Sequence, residues 1–231
     1  MIAPTLHHAP ALHHALTLHH DGASHHATVA ITALVIAGWT GRDAAKVAEH
    51  IEELAAIGVK PPANVPVFYR VAAARLTTAR AIEVIGTDSS GEVEFVIFNH
   101  QDRLWVTVGS DHTDRAVEAY GITVAKQMCE KVIAAEAWPL ADVAGHWDRL
   151  ILRAHADGTL YQEGSVAEMR APNDLIAAYG GLPRGAAMFG GTMPVQGGLR
   201  HAARFAMELE DPVLGRVLTH DYEVISLPVA G

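Results

Sequence analysis

Glu92 and Glu94 stand one residue apart in the run "SGEVEFVIFN" (89–98). In an extended chain, alternate residues share a face at roughly 7 Å, so both carboxylates take one side while Val93, Phe95 and Ile97 take the other. Two ionised acids placed so repel, and the burial implied by "VEFVIF" raises their pKa values. A solvated edge, a crossing basic side chain or a shared divalent cation would relieve the conflict. Seventeen residues beyond Glu94 comes Asp111, in "VGSDHTDR", where a strand-like run gives way to loop. Glu, Glu and Asp form an all-oxygen ligand set with no thiolate. Such a set suits a hard cation, Mg2+, Mn2+ or Ca2+, with water in the remaining positions. Asp114 is the rival third ligand, and His112 points away from Asp111 by strand alternation.

The elements that must position these acids are mostly short strands. "TVAITALVIAGW" (28–39) is rich in β-branched residues, and "AIEVIG", "EVEFVIF" and "RLWVTVG" are further strands separated by turn residues. Asp43 is a helix N-cap before "AAKVAEHIEELAAIGV", whose apolar stripe runs through Val47, Ile51 and Leu54 and which Gly58 ends. "VPVFYRVAAARLT" is a strand with its continuation. "TDRAVEAYGITVAKQMCEKV" begins as helix, "ADG" turns a hairpin, and "PNDLIAAYGGL" is a short helix stopped by glycines. "AAMFGG" leads a strand into the loop "GGTMPVQGG", and two strands around "EDPVLGR" close the chain. The pattern predicts an α+β fold with a β-rich core rather than alternating βαβ units.

Composition narrows the function classes. With 231 residues, half of them hydrophobic, the chain can build one sizeable core. The net charge is −9 and the basic residues are scattered, which argues against nucleic acid or an anionic membrane as partner. A single cysteine, Cys129, excludes an internal disulfide and fits a reducing compartment. The longest apolar run is too short to span a bilayer, and the first residues lack the positive start of a secretion signal. A cytoplasmic location is expected.

Histidine pairs recur every six residues, at His7/His8, His13/His14, His19/His20 and His25/His26. Imidazole is the commonest transition-metal ligand, so the tract could bind zinc, nickel or copper. A six-residue period gives no helical face. Residues 1–27 are therefore expected as a partly mobile segment, with a strand near Leu16–Leu18, ahead of a single domain over 28–231.

Five motifs in order resemble the fumarylacetoacetate hydrolase superfamily over roughly residues 36–228. "EVE" resembles the family's E-x-E, and "DHTDR" its D-x-(S/T)-x-R segment. "VAKQMCEKV" offers its lysine, and "GGTMPVQGG" resembles its glycine-rich loop. "EHIEELAAIGVKPPANVPVFYR" resembles its lid helix and the Pro-led strand that follows. The resemblance implies a β-rich mixed-sheet roll of the type found in that family's C-terminal domain, with a few short helices. It implies Glu92, Glu94 and Asp111 as metal ligands for Mg2+ or Mn2+, with Ca2+ a third choice. It implies His50, Glu53 and Lys126 as catalytic residues, with Lys131 the weaker candidate lysine, and Arg70, Arg115 and Thr192 as substrate-binding residues. Three residues apart on a helix, His50 and Glu53 can pair, with Glu53 fixing the imidazole that takes a proton from water. The implied activity is cleavage of a C–C bond in a 2-oxo or 1,3-dioxo acid such as an acylpyruvate, through a metal-stabilised enolate. Decarboxylation, hydration or dehydration, and keto–enol isomerisation would use the same site, and a non-catalytic metal-binding protein relying on the histidine tract is the alternative. A small oxo-acid substrate and a homodimer are the implied partners. The sequence departs from the family pattern in its short E-x-E to Asp spacing, its loose glycine loop, and Cys129 where an aspartate is usual.

Overall fold

The computed structural model describes residues 11–56 and 61–230, without the side chains at 50 and 53–56. In chain order it runs β1 (Leu12–His20), β2 (Ala23–Ile31), β3 (Ala33–Gly38), α1 (Ala44–Ala56), β4 (Val67–Val71), β5 (Leu76–Thr77), β6 (Ala81–Ile85), β7 (Ser89–Ser90), β8 (Val93–His100) and β9 (Arg103–Asp111). It continues with β10 (Thr113–Asp114), α2 (Arg115–Glu118), α3 (Ile122–Met128), β11 (Lys131–Ile133), β12 (Glu136–Pro139) and α4 (Leu140–Ala144). The last elements are β13 (Ile151–Ala156), β14 (Thr159–Ser165), α5 (Pro172–Tyr179), β15 (Ala186–Phe189), β16 (Arg204–Asp211) and β17 (Arg216–Leu227).

A ten-stranded mixed sheet has the order β2-β1-β12-β9-β8-β15-β3-β4, with β11 and β5 branching from β9. A five-stranded sheet, β14-β13-β16-β17-β6, packs against it, and β10 pairs with β7. This is the α+β mixed-sheet roll that the strand-rich pattern predicts. Local chemistry makes its hairpins. The β1–β2 and β13–β14 turns are Asp21–Gly22 and Asp157–Gly158, and the β8–β9 turn is Gln101–Asp102, all at positive φ. Two successive positive-φ residues give the turn that matches strand twist, and Asp-Gly suits it best.

Alternation then sorts the side chains. Val93, Phe95 and Ile97 of β8, with Val106 and Val108 of β9, pack against Leu152, Tyr161, Phe205, Leu209 and Tyr222 of the smaller sheet. The opposite face holds Val96, Phe98, Trp105 and Phe189, clustered with Leu16, Leu18, Val29, Leu34, Ile36 and Leu76. All of these last residues lie on strands of the large sheet. That sheet therefore curls to bury its own inner face, which is why β8 is buried on both sides.

One expectation changes. The tract expected as a partly mobile segment forms, from Leu12 onward, the continuous hairpin β1–β2, and a boundary at residue 27 would cut through β2. β1 also pairs in parallel with β12. The reason lies between the histidines: Leu16, Leu18, Val29 and Ile31 fall on one face and are buried in the roll.

Candidate metal centre

The two glutamates sit at the start of β8 and Asp111 at the end of the neighbouring β9. Their register pairs Val93 with Ser110 and Glu94 with Gly109, so the Glu92–Glu94 face of β8 and the Asp111 face of β9 coincide. The Asp111 N–H donates to the Glu92 carbonyl at 2.9 Å, which fixes the junction. One carboxylate oxygen from each of Glu92, Glu94 and Asp111 lies within 4.8 Å of the others. The cluster occupies one end of the roll's inner face, in line with Val96 and Phe98. Glu94 and Asp111 are buried, and Glu92 is partly so.

Three cations surround the acids. Lys126, on α3, places its ammonium against Asp111 Oδ2 and 3.9 Å from Glu92 Oε2. Lys131 lies directly opposite Asp111 across the β11–β9 ladder. Its Nζ is 2.9 Å from Asp111 Oδ1 and also donates to the His112 carbonyl. Arg115 sits 3.2 Å from Glu92 Oε1, donates through Nε to Ser90 Oγ at 2.8 Å, and pairs with Glu118 at 2.9 Å. Both lysines suggested by "VAKQMCEKV" therefore reach one aspartate.

The acids respond differently to this setting. Burial pushes the Asp111 carboxyl up, but the two lysines outweigh it and hold it well below the usual carboxylate range. Burial raises Glu92, with Arg115 and Lys126 opposing. Glu94 is raised furthest, by burial first and then by the Asp111 charge. It has no ion-pair partner among the described residues and receives only the Gly191 N–H, at 2.7 Å. Burial opposes the Lys126 ammonium, yet the three carboxylates together raise its pKa and keep it charged.

These facts fit a divalent cation. Glu94 is a buried acid with no ion-pair contact among the described residues, and the donor set is oxygen throughout. An octahedral shell with bonds of ~2.1 Å spans ~4.2 Å, and a Ca2+ shell with bonds of ~2.4 Å spans ~4.8 Å, the scale of the cluster. Glu92, Glu94 and Asp111 are the residues that would hold the ion.

The surrounding loops explain how the acids are held. Gly191 has φ +104°, and a Cβ there would fall 1.7 Å from Thr40 Oγ1. Only glycine lets this backbone come close enough for its N–H to reach Glu94. Gln162, fully buried on β14, accepts from the Val93 N–H at 2.9 Å and donates to Thr192 Oγ1 at 2.8 Å and to the Met193 carbonyl at 2.7 Å. Thr192 donates its hydroxyl proton to the Val93 carbonyl at 2.9 Å. The threonine expected to bind substrate thus ties the loop to β8.

Other sequence-derived candidates separate. Asp114, the rival ligand, caps α2 by accepting the Val117 N–H at 2.9 Å. Arg70 is exposed and donates to Tyr179 at 3.3 Å; among the described residues it makes no ion pair with the acid cluster. Alternation along β4 turns the neighbouring Tyr69 to the other face, where burial raises its hydroxyl pKa. His112 faces away from the acids and bonds to Tyr222 at 2.9 Å and Ser89 at 3.0 Å. His146 pairs with the buried Asp211 at 2.9 Å, and Trp147 packs edge-on against Phe95. His50 and Glu53 lie on α1, and their side chains fall outside the described residues. Gln162 lies outside the five motifs, so nothing in the sequence points to it.

Residues 37–222 match the family model described as "Protein of unknown function (DUF2848)". The chain belongs to this family. A search of curated proteins finds no match. Among solved structures, the DUF2848 chain resembles a protein from Oleispira antarctica described provisionally as a fumarylacetoacetate isomerase/hydrolase, with 21% identity, a TM-score of 0.64 and coverage of 91% of this chain and 99% of that one. It also resembles fumarylpyruvate hydrolase from Pseudomonas aeruginosa in complex with Mn2+ and pyruvate, with 17% identity, a TM-score of 0.61 and coverage of 98% and 99%. A third is 5-carboxymethyl-2-hydroxymuconate delta-isomerase from Mycobacterium smegmatis, with 13% identity, a TM-score of 0.64 and coverage of 87% and 81%. At these identities the likeness is one of fold, and the fold is that of the fumarylacetoacetate hydrolase proteins.

Proposed function

We propose that this DUF2848 chain is a divalent-metal-dependent enzyme that cleaves a C–C bond in a 2-oxo or 1,3-dioxo acid of the acylpyruvate kind. The observation that carries the reading is the convergence of Glu92, Glu94 and Asp111 within 4.8 Å under a buried lysine. Support also comes from the fold shared with a hydrolase whose structure contains Mn2+ and pyruvate. Mg2+ or Mn2+, when bound, supplies Lewis-acid stabilisation of oxygen charge that develops during bond breaking.

The chain's own residues then have separate tasks. Lys126 is held protonated by the acids and offers N–H donors to an anionic substrate group. Arg115 fixes Glu92, and Lys131 fixes Asp111, so neither acid turns away. The curled sheet keeps bulk water from the inner face, which strengthens each of these interactions. His50, oriented by Glu53, is the proposed base that takes a proton from the attacking water. The isomerase of the same fold keeps an alternative open, in which this site shifts a double bond without breaking the chain.

A panel of oxaloacetate, acylpyruvates and related oxo acids, assayed with and without Mg2+ and Mn2+, tests the reading. Turnover of an acylpyruvate that needs metal and disappears in Glu92→Gln is expected. Metal-independent turnover, or full activity in that variant, would refute it. His50→Ala should lower the rate with Mn2+ affinity unchanged, and equal loss of both would make His50 structural.

A further inference from the structure

The hairpin that replaces the expected mobile tract gives each of its faces its own histidines. Leu16 and Leu18 mark the inner face of β1, so His13, Thr17 and His19 lie on the outer one. On β2, Val29 and Ile31 mark the inner face, so Ser24 and His26 lie outside. The register sets His26 opposite Thr17 and Ser24 opposite His19. On the other side of β1, Glu136 of β12 stands beside Thr17. His19, His26 and Glu136 are therefore neighbours on one solvent-facing patch, on the three strands β1, β2 and β12.

We propose that this patch is a second metal site, for a borderline transition ion such as Zn2+, Ni2+ or Cu2+, with His19 Nε2, His26 Nε2 and the Glu136 carboxylate as ligands. The hydrogen bonds already select those nitrogens. His19 Nδ1 contacts Ser24 Oγ at 2.9 Å, and His26 Nδ1 contacts Thr17 Oγ1 at 3.2 Å. With each Nδ1 engaged by a hydroxyl, Nε2 is the ring nitrogen left to coordinate, and for His19 the Ser24 contact is the outer partner that fixes tautomer and ring orientation. His19 Nε2 already meets Glu136 Oε2 at 2.6 Å, so an ion entering there would replace a shared proton.

Proton balance is simple. In the neutral ring Nε2–H donates to Glu136 and Nδ1 accepts from the Ser24 hydroxyl. On coordination the proton moves to Nδ1, which then donates to Ser24 Oγ, and His19 releases no net proton. His26 is one diagonal step away across the ladder, roughly 7–8 Å between backbones, and its ring does not yet converge with His19 and Glu136; it closes the shell by leaving Thr17 Oγ1 and rotating about its side-chain bonds. The side chains of His19 and Glu136 are 30% and 52% exposed, so an ion reaches them without opening the fold. Two imidazoles, one carboxylate and one water complete a tetrahedral shell, the geometry zinc favours. Nitrogen ligands distinguish this patch from the all-oxygen acid cluster, which suits harder ions.

The inner-face pair supplies the control. His20 and His25 stack at 4.2 Å beside Trp105, two turn-proximal histidines on the opposite face of the same hairpin. Zn2+ titrations of the full chain, read by competition with a chromophoric chelator, should show a site that weakens at least ~10-fold in His19→Gln and in His26→Gln. His20→Gln and His25→Gln should stay within about twofold of the parent. Co2+ should give an intense tetrahedral visible band that the outer-face variants lose and the inner-face variants keep, with circular dichroism confirming that all four stay folded. Parental Zn2+ binding in the outer-face variants would overturn the proposal. Equal losses from inner and outer variants would overturn it too, since the tract would then bind as a flexible polyhistidine. Every protein in the series keeps Glu92, Glu94 and Asp111, so either failure leaves the proposed catalytic reading untouched.

Discussion

Removing the Lys131 ammonium is the sharpest test of how the acid cluster is built. Lys131 and Asp111 are both fully buried, sit opposite each other across the β11–β9 ladder, and approach to 2.9 Å. Lys131→Met keeps the aliphatic stem and deletes the charge. It also strips a donor from the His112 carbonyl. Breaking a buried pair by removing one partner costs about 3–5 kcal/mol. Lys126 still neutralises Asp111, which puts the expected loss toward the lower end of that range. For a chain of this length, each kcal/mol moves Tm by about 2–4 °C, so a fall of roughly 6–12 °C is expected. Asp111→Asn should cost a similar amount, because it leaves two buried lysines without their acid. The double variant should lose less than the sum of the two, with a coupling of about 2–3 kcal/mol by urea unfolding. Additivity within about 0.5 kcal/mol, or a Tm change below ~2 °C in Lys131→Met, would refute the claim that this pair organises the site.

Other consequences follow from individual contacts. Gly191→Ala combines a φ of +104° with a Cβ 1.7 Å from Thr40, so the loop must move off Glu94; a stability loss of about 1–3 kcal/mol and weaker Mn2+ binding by calorimetry are expected. Arg70→Ala should leave stability within about 0.5 kcal/mol and Mn2+ affinity unchanged, whereas Arg115→Ala, which frees Glu92, should weaken Mn2+ binding clearly in the same titration. The His112 pKa is held down to about 3, by burial first and then by the charges of Lys131 and Arg115. The unfolded chain then takes up a proton below pH 6.5 that the folded chain refuses until about pH 3, so stability is complete above 6.5 and falls across that window as pH drops. Unfolding free energies from urea titrations across it should fall by up to ~1.4 kcal/mol per pH unit, and His112→Gln should flatten the slope.

The acid cluster was legible in the sequence because its information is local. Strand alternation puts Glu92 and Glu94 on one face, and Asp111 ends the strand that follows the next hairpin turn. The β8–β9 hairpin then needs only its two-residue turn at Gln101–Asp102 to bring the three together. The hairpin at Asp157–Gly158, the Asp43 cap and α5 are local in the same sense. Their physics is completed within a few neighbouring residues.

Only the tertiary structure decided the rest, because the deciding partners are far apart in the chain. That Asp111 is shared by two lysines follows from α3 and β11 both returning to β9, and no spacing rule states it. Gln162 holds Val93 and Thr192 across 69 and 30 residues, and Thr192 becomes a tie for the loop as a result. The two histidines of each pair are adjacent, so one member falls on either face once a strand forms. Whether it forms depends on whether Leu16, Leu18, Val29 and Ile31 find an apolar surface. The curled sheet provides that surface, and a curl is a property of ten strands together rather than of any segment.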